Sequence, residues 1–164
     1  MIQYKLCILG LLPKRIFIGF VSLDSANADI HRNPFHFHHY DHNSIIVSSD
    51  IHSKILPIKS NFSKNFYLSA YLSLYSASNI FYSDSGFSIS RNDYKNGNAL
   101  CGFDLSEDFS ASAAHLSLPR QGSLRIDLQF AKQLPEAVSM IIYAEFDSII
   151  EIDRRRNIIC DYSS

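Results

Sequence analysis

Tryptophan is absent from this 164-residue chain, which disfavours an aromatic platform for stacking sugars. Cysteine is scarce: Cys7, Cys101 and Cys160 are odd in number, far apart and without a CxxC pair. Neither a disulfide framework nor a structural zinc site follows from that pattern, and the three read as reduced packing residues. Neither sign of charge dominates. Fifteen basic residues stand against sixteen acidic ones, for a net charge of -1, with no basic tail and no acidic block, so composition supports no nucleic-acid partner. Long apolar runs are missing too. Leu6–Leu12, behind Lys5, is far too short to span a bilayer, and Pro13, Lys14 and Arg15 follow where a signal peptide carries small cleavage-site residues. Neither secretion nor a membrane partner is expected. A GxSxG elbow and a glycine-rich phosphate loop are absent as well.

What the chain has is alternation. Hydrophobic residues make up 46% of it, enough for the core of one compact domain, and its 12 Phe and 9 Tyr are spread along the whole length, which suits stacked sheets. From Leu124 the apolar residues Leu124, Ile126, Leu128 and Phe130 alternate with Arg125, Asp127 and Gln129, the mark of a half-buried strand. Pro135 interrupts, because proline cannot donate to a ladder. A second strand follows, with Met140, Ile142, Ala144 and Phe146 on one face and Ile141, Tyr143 and Glu145 on the other. Ile150 and Ile152 begin a third, broken at Arg154–Asn157 and resuming at Ile158 and Ile159.

Earlier in the chain, Lys14–Val21 reads as a strand with Ile16, Ile18 and Phe20 on one face. His36–Ser49 is extended with a turn at Asp41–Ser44, Ile45, Ile46 and Val47 are a β-branched strand centre, and Ile51–Ile58 pairs with it across Ser49 and Asp50. A single helix is expected at Lys64–Ser78, where Tyr67, Ala70, Tyr71, Leu74 and Tyr75 form one stripe and Ser63 or Asn65 can cap the start. Asn79–Gly97 is a polar connection with a short extension at Phe87–Ile89. Leu100–Leu105 is strand, and Ser106–Gln121 is loop, with Pro119 and Gly122 marking its exit. About seven short strands with one inserted helix predict an all-β jelly-roll sandwich of two antiparallel sheets. Residues 1–12 are expected to be an N-terminal lead, and 13–164 the domain.

Four blocks carry a family resemblance. LPKRIFIGFV at Leu12–Val21, NPFHFHHYD at Asn33–Asp41, GFSISRNDYKNG at Gly86–Gly97 and YAEFDSIIEIDRRRN at Tyr143–Asn157 resemble, in order, the double jelly-roll major capsid proteins of Polinton or Maverick elements and adintovirus-like viruses. The match is to the second roll. The resemblance therefore implies a structural protein, the C-terminal jelly roll of a capsid subunit or its genome-integrated remnant, that packs with other capsid subunits in trimeric capsomers. It further implies that the first roll and the opening strand of the second lie outside this chain, a truncated product or a partial gene model. A capsid location follows if the protein is viral, and otherwise an intracellular one, in the nucleus or cytoplasm.

Three constellations are candidates for chemistry. His31, His36, His38, His39 and His42 lie close together, and His36 and His38 share a strand face as the HxH pair of a cupin-like metal enzyme does. A cupin places a Glu where His42 and Asn43 stand, however, and the only later histidines are His52 and His115. Ser88, Ser90, Arg91, Asn92, Asp93 and Tyr94 can imitate an active-site loop, but these residue types cap turns. Glu145, Asp147, Glu151 and Asp153 can be offered as paired carboxylates. Their outer-strand positions favour salt bridges to Arg154, Arg155 or Arg156. No catalytic, cofactor-binding or metal residue is expected from these, nor a cofactor or small-molecule substrate. The alternatives are the cupin-like enzyme using His36 and His38, and a ligand-binding module built on the jelly-roll loops.

Overall fold

Gln121–Phe130 forms the longest inner strand of the fold, and its alternation sets the sandwich. A computed structural model describes residues 2–27, 29–50, 55–81, 84, 86–106, 109, 111, 120–147 and 150–160. Among these the strands are β1 Ile2–Leu11, β2 Arg15–Ser22, β3 His42–Ser49, β4 Ile55–Lys59, β5 Cys101–Asp104, β6 Gln121–Phe130, β7 Val138–Glu145, β8 Ile150–Ile152 and β9 Ile158–Cys160. The helices are α1 Leu23–Ala26, α2 Leu68–Ala77 and α3 Arg91–Lys95. One sheet has the order β1-β6-β3-β4 and the other β5-β2-β7, while β8 and β9 form a separate hairpin. Every strand pair is antiparallel. The expected all-β sandwich of two antiparallel sheets is what the chain builds.

Leu124, Ile126, Leu128 and Phe130 are all buried, as the alternation predicts, and they meet Ile16, Ile18 and Phe20 of β2 in one core. Phe20 and Phe130 pack edge to face with centroids 5.5 Å apart, an arrangement that places a ring edge against a π face. Ile45 and Val47 complete the inner face of β3. On β7, Met140, Ile142 and Ala144 pack against this core, but Phe146 is 46% exposed because the strand ends at Glu145.

Three expectations are corrected. The presumed lead is the strand β1, paired with the whole of β6 from Ile2 opposite Phe130 to Leu11 opposite Gln121. Its period of two is masked in the sequence because Cys7 and Leu9 are apolar on the face opposite Leu6 and Ile8. Secondly, α2 begins at Leu68 and has no side-chain cap, while Ser63 and Asn65 belong to a preceding 3-10 turn, Phe62–Lys64, which Asn61 caps. The helix still buries Ala70 and Leu74 of the expected stripe, together with Ala77. It packs against β5, where a Cβ on Gly102 would stand 2.5 Å from that of Ala77. Finally, the short helices α1 and α3 accompany α2. Each takes the extended serine before it as its cap, Ser22 accepting from the Ser25 amide and Ser90 from that of Asp93.

Candidate interaction surface

The histidines do not converge. His36 and His38 have ring centroids 4.2 Å apart, yet they sit on a loop whose one ladder contact is the Phe37–Asn98 bridge, not on a strand. Burial, then the neighbouring His36, holds His38 below the usual imidazole range. The nearby carboxylate of Glu136 is already engaged, accepting from Tyr40 Oη at 2.8 Å and Arg32 at 2.9 Å. His39 stacks on Phe62 with centroids 4.0 Å apart, and its Nδ1 accepts from the Asp41 amide. His31 is exposed. His42 is buried, and His52 and His115 lie outside the described residues. Among the described residues no three His, Cys, Asp or Glu stand where they could hold a metal ion together.

One buried pair escaped the sequence reading. Cys101 Sγ lies 3.9 Å from His42 Nε2 and 3.7 Å from Tyr94 Oη, a thiol beside an imidazole as a nucleophilic site needs. Both groups are fully enclosed. Burial pushes the thiol up to about 12 and the imidazole down to about 4, so the thiolate–imidazolium form is disfavoured from both sides. This pair acts as core. The polar loop resolves equally simply: Ser90 caps α3, Arg91 donates to the Asn65 carbonyl, and Tyr94 is fully buried.

The carboxylates pair differently from expectation. Glu145 meets Lys14 at 3.0 Å and also Arg15, and Asp147 meets Lys14 at 2.8 Å, whereas Asp153 accepts from Asn157 within the β8–β9 turn. Cross-strand register decides this, since Arg15 lies directly opposite Glu145. Burial pushes Glu145 up, but Arg15 and Lys14 more than offset it and hold the carboxyl below its usual range. Arg15 also donates to the Ala77 carbonyl at the end of α2. Those acids lock strands together.

What the structure exposes is one side of the sandwich. β1 and β7 are the outer strands of their sheets at the same side, and each has a partner on one edge only among the described residues. Tyr4, Leu6 and Ile8 share the inner face with the buried Leu128, Ile126 and Leu124 directly opposite them, yet they are 47%, 37% and 40% exposed. A groove of about 570 Å³ runs between the layers, lined by Ile2, Tyr4, Leu128, Phe130, Val138 and Met140 among others. On the outer face of β7, Ile141 and Tyr143 are 44% and 61% exposed.

No family profile matches the chain, and no solved structure matches it. An uncharacterized protein of Caenorhabditis elegans is similar, 28% identical over 158 residues that cover 92% of this chain. The chain spans 36% of the length of that relative.

An open strand edge and a half-exposed apolar stripe are surface features that favour association. The signal was present in the sequence as Tyr4, Leu6 and Ile8 at a spacing of two. Their exposure was not, because it depends on which strand faces them.

Proposed function

We propose that the chain is a structural protein, a C-terminal jelly roll of the capsid subunits of Polinton or Maverick elements and adintovirus-like viruses or a genome-integrated remnant of one, which works by packing against other subunits in a trimeric capsomer. The observation that carries this reading is the open side of the sandwich, where among the described residues β1 and β7 each have a partner on one edge only and Tyr4, Leu6 and Ile8 are partly exposed. Assemblies of this kind hold by large, well-fitted interfaces and need no catalytic group. The four sequence blocks supply the family, and the sandwich is the fold that the family implies. A capsid shell, or the nucleus or cytoplasm for a remnant, is the corresponding location.

Sedimentation velocity, hydrophobic-dye binding and negative-stain microscopy test the proposal on the purified chain and on the full-length Caenorhabditis elegans relative. The chain alone is expected to associate and bind dye, and the relative to form trimers with a near-hexagonal outline. Monodisperse monomers with little dye binding for both proteins would overturn it.

A further inference from the structure

Residues 39–42 form a turn whose closure depends on an uncharged imidazole. Tyr40 and Asp41 both take left-handed backbone, with φ of 42° and 50°, and the His42 amide donates back to the His39 carbonyl at 2.9 Å. Turns of this kind ordinarily place asparagine, aspartate or glycine at the central positions, so Tyr40 holds the chain under strain. A specific bond opposes the strain: the Asp41 amide donates to His39 Nδ1 at 2.9 Å. An amide N–H can only donate, so Nδ1 carries no proton in the closed turn. We infer that the turn is an acid-released clasp, in which a proton on His39 Nδ1 removes the acceptor that the Asp41 amide needs and residues 36–41 lift from the sandwich while the sheets stay paired. This is a local opening and does not rest on the shell-forming reading.

What the clasp fastens is a strap beside β2. Phe37 and His38 donate to the carbonyls of Gly97 and Phe20 at 2.8 and 2.9 Å, and the amides of Ala99 and Ala131 donate to the carbonyls of Phe37 and Asp41, both at 3.0 Å. His39 stacks on Phe62 with centroids 4.0 Å apart, so the ring that takes the proton also anchors the strap. Half-buried Phe37 covers Gly19, where an added Cβ would stand 2.6 Å from its ring. Gly19 lies directly opposite Ile141 of β7, whose side chain is already exposed. Lifting the strap therefore enlarges one apolar face.

Charge acts in the same direction. Burial, with Lys95 of α3 and His38, holds His39 below the usual imidazole range, and Asp41 opposes this only in part. Burial and His36 do the same to His38, against Glu136. Both carboxylates are already engaged, Asp41 with Lys132 at 3.4 Å and Glu136 with Arg32 at 2.9 Å. Asp41 Oδ1 also lies 3.4 Å from His39 Nδ1, so a proton there can turn to the carboxylate, but the amide that closes the turn is then left unpaired. In the lifted strap the imidazoles titrate ordinarily, near about 6.5. Closure is therefore at full strength above that pH and weakens as the pH falls below it. His42, fully enclosed and held down to about 4, stays neutral at pH 5 and remains with β3.

Native-state hydrogen exchange followed by NMR tests this on the purified chain, each rate being divided by the intrinsic rate at its pH. Between pH 7.5 and 5.0 the protection of the Phe37, His38, Asp41 and Ala99 amides is expected to fall by about tenfold. It should stay below that of the β6 amides throughout and respond little to urea added below the unfolding transition, as local opening does. The ring proton signal of His39 is expected to titrate over the same pH range as the loss. His39→Gln keeps an acceptor that does not titrate, and is expected to flatten the strap's response to under about threefold. His39→Phe keeps the stack without the acceptor, and should leave the strap poorly protected at both pH values. Hydrophobic-dye binding should rise at pH 5.0 in the parent chain and less in His39→Gln. Strap amides that share the protection and urea response of β6 would overturn the inference. So would His39 titrating while the strap stays protected, an undiminished pH response or dye binding in His39→Gln, or full protection in His39→Phe.

Discussion

The thiol of Cys101 stands 3.9 Å from Nε2 of His42 in the middle of the sandwich. His42 Nδ1 donates to the His39 carbonyl at 3.0 Å, which leaves Nε2 as the acceptor facing the thiol. In an open site this would be a reactive pair. Here enclosure disfavours both charged forms, and the imidazole serves to fill space between Phe20 and Phe62, 6.0 and 4.9 Å away by ring centroid.

Thiol labelling should separate Cys7 from Cys101. Cys7 is exposed on β1 and Cys101 is buried, and a thiol held near 12 has almost no thiolate at neutral pH. Brief iodoacetamide treatment at pH 8 followed by peptide mapping is expected to modify Cys7 and spare Cys101, which reacts only after denaturant unfolds the chain. Comparable labelling of both in the native protein would contradict the burial.

Acid should cost stability through His42. Its pKa is about 4 when folded against the model-compound value of 6.5, so below 6.5 the unfolded chain takes up a proton that the folded one refuses. The contribution is complete above 6.5 and is lost as the pH falls toward 4. Between pH 7.5 and 4.5 the loss from this residue is expected to be about 2 to 3 kcal/mol. Urea titrations should show it, with a smaller drop in a His42→Phe chain, while His38 and His39, also held down by burial, retain a part of the slope.

The register of β6 predicts unequal effects at adjacent positions. Phe130 is buried against Phe20 and the ring of Tyr4, so Phe130→Ala is expected to cost about 3 to 5 kcal/mol. Gln129 faces the other way, and Gln129→Ala should cost well under about 1 kcal/mol. Chemical denaturation of the two variants gives the comparison, and equal losses would mean that the register is wrong.

Gly102 is predicted to be irreplaceable for a packing reason. A Cβ there would lie 2.5 Å from that of Ala77 and 2.9 Å from the Ser73 carbonyl oxygen, so α2 and β5 would have to separate. Gly102→Ala is expected to cost about 1 to 3 kcal/mol, measured as a lowered denaturation midpoint. Gly10 offers the contrast: nothing lies within 4 Å of its added Cβ, and only its φ of +134° resists substitution.

The strands around Ile16, Ile45, Leu124 and Met140 were legible because a half-buried strand must alternate at a period of two, which is a local property. The α2 stripe was legible for the same reason at its own period. Local pattern could not say that Glu145 would meet Lys14 and Arg15 and not Arg154–Arg156, since pairing across strands is set by register between segments more than a hundred residues apart. Nor could it separate Tyr4, Leu6 and Ile8 from Leu128, Ile126 and Leu124. These two sets carry the same spacing and face the same side of the same sheet, and one is buried while the other is between 37% and 47% exposed. The difference lies in the opposing layer, which among the described residues covers β6 and stops short of β1. A side chain's chemistry and spacing are properties of the sequence; its cover depends on what the folded chain places across from it, and only the tertiary structure decided that.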